Sequence, residues 1–144
     1  MTGHPAASAD AVSPPATEKA NGDFVRTHIL NGTIRACHDV SDGGVLVAIA
    51  EMAMASGTGA RMSAHPRDIP GHAFWFGEDQ ARYVVTAKHA DEIVRRAAAA
   101  GVPLTRIGAT GDGVLAIAGE RPLPVDSLKH RFEAWLPSYV DGAA

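Results

Sequence analysis

His38-Asp39-Val40-Ser41-Asp42-Gly43-Gly44 runs without a break into the apolar segment from Val45 to Ala55. This stretch decides the fold, because a strand ends in a polar knot and the knot opens a helix. Upstream, Ile34, Ala36 and Val40 supply the apolar pattern of the strand. Ser41 is a good N-cap, since its hydroxyl can accept from the open amides of a first helical turn. Asp42 follows within that turn, where a carboxylate interacts well with the helix dipole. Gly43 and Gly44 remove two side chains and so let a partner come close to the backbone. A ligand-facing corner with an open helix N-terminus is expected here.

Working outward, the helix that starts at this corner extends to about Ala55, with Val45, Leu46, Ile49, Met52 and Ala53 as its apolar face. Ser56-Gly57-Thr58-Gly59 ends it, with Gly57 as a left-handed cap. Before the corner, a helix is predicted over about Thr17 to Leu30, with Phe24, Val25, His28 and Ile29 in its buried stripe. Thr33 to Asp39 is the strand it feeds. Met1 to Pro15 is rich in Ala, Ser and Pro without an apolar period, so it is expected to be a disordered tail or linker remnant. That leaves 16–140 as the folded domain.

After the corner helix, Ala60 to Ala64 is a short strand and His65 to Gly71 a loop with two prolines. Phe74-Trp75-Phe76 is predicted as an aromatic β-run and Ala81 to Ala87 as a strand. A helix over about Ala90 to Ala100 follows and stops at Gly101. Leu104 to Ala109 and Val114 to Ala118 are predicted to pair as a hairpin around the Thr110-Gly111-Asp112-Gly113 turn. A last helix over about Asp126 to Trp135 lines up Leu128, Phe132 and Trp135 and ends at Pro137. The order predicts an α+β (mixed α/β) fold, with helices packed on a largely antiparallel sheet. No glycine fingerprint follows the first strand in the spacing a Rossmann fold needs.

With 144 residues, 46% of them hydrophobic, the chain can build one core of ordinary size. A net charge of −3, with no Lys/Arg run longer than Arg95-Arg96, lacks the electrostatic footprint of a nucleic-acid binder. The one cysteine, Cys37, excludes an intramolecular disulfide and a multi-cysteine zinc site. Glu51 interrupts the longest apolar run, which is too short to span a bilayer. The N-terminus lacks the basic-then-apolar order of a secretory signal. A cytoplasmic domain with neither nucleic acid nor membrane as partner is expected.

Two polar clusters can carry chemistry. In the first, Asp39 and Asp42 are three residues apart across a turn, a spacing that can bring both carboxylates to one magnesium ion or its water shell. A phosphate at this acidic helix start would need such a cation. Equally, Asp39 and Asp42 can simply satisfy turn and cap amides, with His38 a hydrogen-bonded strand residue. In the second, Glu78, Asp79, Gln80 and Arg82 lie between apolar segments. Gln80 and Arg82 share a strand face, so Arg82 can act as a fork for a carboxylate or phosphate. An ordinary turn with a solvated Arg–Glu pair is the alternative. Cys37 suits a small buried residue better than a nucleophile, and no two histidines stand at the spacing of a helical zinc pair.

The string His38-Asp-Val-Ser-Asp-Gly-Gly44 with Ala48-Ile-Ala-Glu-Met-Ala53 closely resembles the C-terminal domain of phosphoribosylformylglycinamidine synthase, the synthetase subunit PurL. Asn21-Gly-Asp-Phe-Val-Arg26, Phe76-Gly-Glu-Asp-Gln-Ala-Arg-Tyr-Val-Val85, Gly101-Val-Pro103, Arg106-Ile-Gly108 and Trp135-Leu-Pro137 agree in order and spacing. The resemblance implies the α/β fold shared by the aminoimidazole-ribonucleotide-synthase-related (PurM/PurL) superfamily. It also implies a part in purine biosynthesis. There ATP activates the amide oxygen of formylglycinamide ribonucleotide as an iminophosphate, and glutamine-derived ammonia displaces the phosphate.

By the family's internal pseudo-symmetry, Asp39 becomes the metal-type position and Glu78, Asp79 and Gln80 the substrate-type positions. His38, Ser41, Asp42, Gly43, Gly44 and Arg82 become ligand-proximal. No position matches the family's catalytic histidine. The implied cofactors are Mg2+ and ATP or ADP in the full enzyme. The implied partners are the missing nucleotide-binding domains, a glutaminase and small accessory subunits, with a homo-oligomer left open. One small domain cannot hold ATP, a sugar phosphate and ammonia together, so the isolated chain is predicted to be inactive. The alternative is a non-catalytic interaction module docking on a nucleotide-binding partner. Phe74, Trp75 and Phe76 are candidates for its exposed surface, unless they are buried in the core.

Overall fold

The computed structural model describes residues 15–63, 69–78, 82–140 and 142. The expected tail up to residue 14 lies outside them, as does most of the predicted loop after Met62. The described elements are α1 (Pro15–Leu30), β1 (Ile34–Asp39), α2 (Gly44–Ser56), β2 (Gly59–Met62), α3 (Gly71–Phe76) and β3 (Tyr83–Ala87). After these come α4 (Ala90–Ala99), β4 (Gly108–Gly111), β5 (Val114–Ile117), β6 (Leu123–Pro124) and α5 (Val125–Val140). The fold is α+β, and the chain divides into two compact units: Met1–Ile49 with His65–Arg106, and Ala50–Ala64 with Ile107–Ala144.

In the first unit β1 and β3 form an antiparallel pair, with His38 opposite Val84 and Asp39 opposite Tyr83. Phe24 of α1, Ile34 of β1, Ile93 and Ala97 of α4, and Val102 form the buried cluster beside this pair. Ile93 and Ala97 are four apart and so face the same way on α4. His28 is the one buried polar residue among those described. Its ring stands edge-on to Phe24 at 4.3 Å, and its Nδ1 is 3.2 Å from the Asn31 side chain. The helical period thus placed an imidazole in the core, and a neighbouring amide satisfies it.

In the second unit the strand order is β4-β2-β5-β6. The predicted hairpin does not form. β2 lies between its two strands, antiparallel to β4 and parallel to β5. Gly59 shows why this is sterically allowed. A Cβ there would stand 2.0 Å from the Asp112 carbonyl oxygen and 2.2 Å from the Val114 nitrogen, so only glycine admits the strand at that depth. Asp112 in the bend accepts from Arg61 of β2 at 2.8 Å, tying the inserted strand to the turn.

Two further expectations are corrected. Phe74-Trp75-Phe76 is the C-terminal half of the short helix α3 rather than a strand, with Trp75 buried and Phe76 exposed. Three adjacent aromatics carry no period, so composition favoured β where the following Gly77 turn and the preceding Pro70 favour one helical turn. α5 also passes Pro137 and continues to Val140. The proline leaves the Glu133 carbonyl without its intrahelical donor, a loss confined to the last turn of the helix.

Candidate functional site

The corner predicted between β1 and α2 exists, but it is built differently. Strand pairing runs one step past Asp39, because the Val40 amide donates to the Arg82 carbonyl at 2.9 Å. That bond brings the segment around residue 82 beside the polar knot. The Gly44 amide donates to the Ser41 carbonyl at 3.1 Å, which makes 41–44 a tight turn outside the helix. α2 begins only at Gly44 and has no acidic residue in its first turn. Ser41 is therefore not its N-cap, and Asp42 does not sit on its dipole. Both are exposed. The pair of glycines in left-handed conformation, φ 83° and 75°, delays the helix start by two residues.

The carboxylate at the α2 N-terminus comes from elsewhere in the sequence. Glu78 Oε1 accepts from the Gly43 amide at 2.8 Å. This long-range contact does what the glutamate of a capping box does locally: it satisfies the amide at the N-cap and places negative charge at the positive end of the helix. Gly44 makes the contact sterically available. A Cβ on it would lie 2.6–2.8 Å from backbone atoms of Phe76 and Trp75. The close partner that the glycine pair admits is thus the C-terminal end of α3, a segment of the same unit.

Arg82 completes the arrangement from the other side. Its Nη1 donates to the Gly77 carbonyl at 3.4 Å, and its guanidinium carbon stands 5.8 Å above the Phe74 ring. Gly77 caps α3, its amide donating to the Ala73 carbonyl at 3.1 Å. A cation therefore sits at the C-terminal end of α3 while an anion sits at the N-terminal end of α2. The cation–π geometry over Phe74 holds the guanidinium in place.

On β1, His38 Nδ1 is 2.6 Å from the Asp39 carbonyl oxygen. A carbonyl only accepts, so this nitrogen carries the proton. The Asp39 carboxylate stands 3.7 Å from the same nitrogen and is largely exposed. Cys37 lies half-buried on this strand, and burial first, then the Asp39 charge, push its thiol pKa up. Cys37 is thus held as the neutral thiol, in line with a packing role.

The structure brings His38, Asp39, Gly43, Gly44, Glu78 and Arg82 into one corner of the first unit. Asp79 and Gln80 lie outside the described residues. Sequence reasoning missed the Glu78–Gly43 hydrogen bond, whose partners are 35 residues apart. The signal for it was the glycine pair itself, which announced a close approach without naming what approaches. Among the described residues no three His, Cys, Asp or Glu side chains converge as a metal-ligand group.

The family model described as "AIR synthase related protein, C-terminal domain" matches residues 2–118. The chain belongs to this family. Within it, the chain is 56% identical over 140 residues to the phosphoribosylformylglycinamidine synthase subunit PurL of Bradyrhizobium sp. (strain BTAi1). That match covers 94% of this chain and 19% of the relative. Azorhizobium caulinodans PurL is 56% identical over 136 residues, covering 91% and 18%. The chain thus spans about a fifth of the length of the curated relatives it matches. Thermotoga maritima PurL complexed with ATP has the same fold, with TM-score 0.71 and 21% identity, over 83% of this chain and 23% of that one. T. maritima PurL complexed with FGAR gives TM-score 0.68 at 21% identity, over 82% and 22%. This domain family is therefore carried, in these relatives, by a chain some five times longer. No helix among the described residues is long and apolar enough to cross a membrane.

Proposed function

We propose that this chain serves as the C-terminal domain of a formylglycinamidine ribonucleotide synthetase, an ATP-dependent carbon–nitrogen ligase of purine biosynthesis, and that it has no synthetase activity by itself. The observation that carries this is the 56% identity over nearly the whole chain to PurL subunits of which it spans a fifth. The corner supports a supporting role in that enzyme. Two of its charged residues fix its own helix ends, Glu78 on α2 and Arg82 on α3. A preorganised wall of this kind holds an adjacent cleft in shape without contributing a reacting group.

In this role His38, Asp39, Ser41, Asp42 and the Gly43-Gly44 turn line the side of the domain that faces substrate or nucleotide, and Asp79 and Gln80 are substrate-type positions by resemblance to the family. The nucleotide, ATP or ADP, is held chiefly by the domains this chain does not span, and a magnesium ion accompanies its phosphates. A cytoplasmic setting belongs to the same proposal. So do a glutaminase and small accessory subunits as partners of the complete complex.

Two assays test it. The isolated chain should give no heat with millimolar Mg-ATP in titration calorimetry and no ammonia-dependent amidation of formylglycinamide ribonucleotide. Bradyrhizobium PurL with its matching segment replaced by this chain should retain amidation. Turnover by the isolated chain, or a folded but inactive chimera, would sink the proposal.

A further inference from the structure

Among the described residues α5 carries the largest group of exposed large hydrophobic side chains. Phe132, Trp135 and Tyr139 are 67%, 64% and 64% exposed. Their spacing of three and four puts them on one face of the helix, and the rings of Trp135 and Tyr139 stack at 5.6 Å. The same face is covered at its start. Val125 is 1% exposed, and Leu128 is half-buried. One apolar stripe therefore passes from core to water halfway along a continuous helix.

We propose that the Phe132–Trp135–Tyr139 face of α5 is a docking surface, and that its occupant is the remainder of a PurL-type synthetase polypeptide. This rests on the function proposed above and adds to it the surface through which the domain is seated. Two observations select this occupant. The first is area. With roughly 150–250 Å² per aromatic side chain, two-thirds exposure of the three leaves roughly 300–500 Å² in water. That reaches the size at which a patch marks an interaction site. It falls short of the ~800 Å² per partner that a stable, specific two-chain interface buries. The face suits one part of a larger seat, where covalent continuity raises the effective concentration and a modest contact suffices.

The second observation is where the matches stop. The domain-family match ends at residue 118, before α5 begins. The matches to full PurL subunits cover up to 94% of the chain, too much to omit a helix of 16 residues. α5 thus belongs to what this chain shares with the long synthetase subunits, beyond what it shares with the domain family at large. The other four-fifths of such a subunit is the polypeptide available to cover it.

The test is hydroxyl-radical footprinting of the isolated chain and of Bradyrhizobium PurL carrying this chain in place of its own matching segment. Trp75, buried, is the internal control for folding. Modification of Phe132, Trp135 and Tyr139 should fall about fivefold in the full-length chimera, as burial in an interface core excludes water, while Trp75 stays protected in both. Equal modification of the three in both proteins, with Trp75 protected, overturns the proposal.

A Phe132→Asp/Trp135→Asp variant of the isolated chain supplies a second arm that does not depend on the chimera. It should keep the melting temperature and the monomeric state of the parent. A lowered melting temperature would mean that the face is internal. A parent dimer dissolved by the two substitutions would mean that a second copy is the occupant, and binding of the parent to anionic vesicles that the variant loses would mean a lipid surface. Each of these overturns the proposal. Amidation by the chimera separates this claim from the functional one. Activity with unprotected aromatics removes the docking face alone, and protected aromatics without activity remove the synthetase role alone.

Discussion

The aromatics of α3 and those of α5 differ both in spacing and in exposure. α3 carries Phe74, Trp75 and Phe76 in succession. Adjacent helical residues point about 100° apart, so no single neighbour covers all three. Trp75 is buried, Phe74 half-buried and Phe76 exposed. α5 spaces Phe132, Trp135 and Tyr139 on one face, yet all three stand in water. Spacing decides which side chains share a fate. Whether that fate is burial depends on a partner that spacing does not supply.

The comparison breaks first at its tryptophans. Trp75→Ala should cost about 3–5 kcal/mol of stability, whereas Trp135→Ala should stay within about 0.5 kcal/mol. Urea denaturation followed by circular dichroism reads both, and equal costs would erase the distinction between the two helices.

The seat of α3 can be probed next, through the glycine pair against it. Gly44→Ala should cost about 3 kcal/mol, because a left-handed residue would also meet the backbone of Phe76. Gly43→Ala should cost about 1–2 kcal/mol. The nearest obstacle to its Cβ is the Val47 side chain rather than backbone. A reversed order in the same denaturation experiment would mean that α3 does not rest on Gly44.

A smaller effect is expected at the helix end that Glu78 serves. Glu78→Ala should lose about 1 kcal/mol with its hydrogen bond. Glu78→Gln, which keeps an acceptor, should lose only about 0.3–1 kcal/mol of dipole interaction. Ser41→Ala should be nearly silent, within about 0.5 kcal/mol, because Ser41 is not the cap. A larger loss for Ser41 than for Glu78 would restore the local cap that the sequence suggested.

The smallest effect concerns reactivity. Burial and the Asp39 charge both raise the Cys37 pKa. The folded chain therefore keeps the thiol proton where the unfolded chain begins to lose it. The associated stability is full below the ordinary thiol range and fades as pH rises through the folded-state value. Alkylation at pH 8 should be slower in the folded than in the unfolded chain, and Asp39→Asn should speed it about two- to threefold by removing the second cause. An unchanged rate in Asp39→Asn would leave burial as the only cause.

Much of the first unit was legible because its elements announce themselves locally. α1, β1, β3 and α4 lie within about two residues of where period and stop signals put them. The 3.6-residue spacing of Phe24 and His28, and of Ile93 and Ala97, names the core face directly. What was not legible involved two distant segments. The hairpin expected around Asp112 looked complete in sequence, and only the insertion of β2 between its strands shows otherwise. Ser41 read as a cap because its chemistry is right and an apolar run follows, but the amide at the helix start, that of Gly43, is bonded by Glu78, 35 residues beyond it.

The sequence by itself determined α1, β1, α2, β3 and α4, the corner between β1 and α2, and the family to which that corner belongs. These follow from periods, turn chemistry and a long shared string, all of them local in the chain. Only the tertiary structure decided what comes close to Gly43 and Gly44, which strand enters the second sheet, and which aromatic cluster is left in water. Each of those is a contact between segments far apart in sequence. The energy that selects it comes from burial and hydrogen bonding across the fold, which no local pattern encodes.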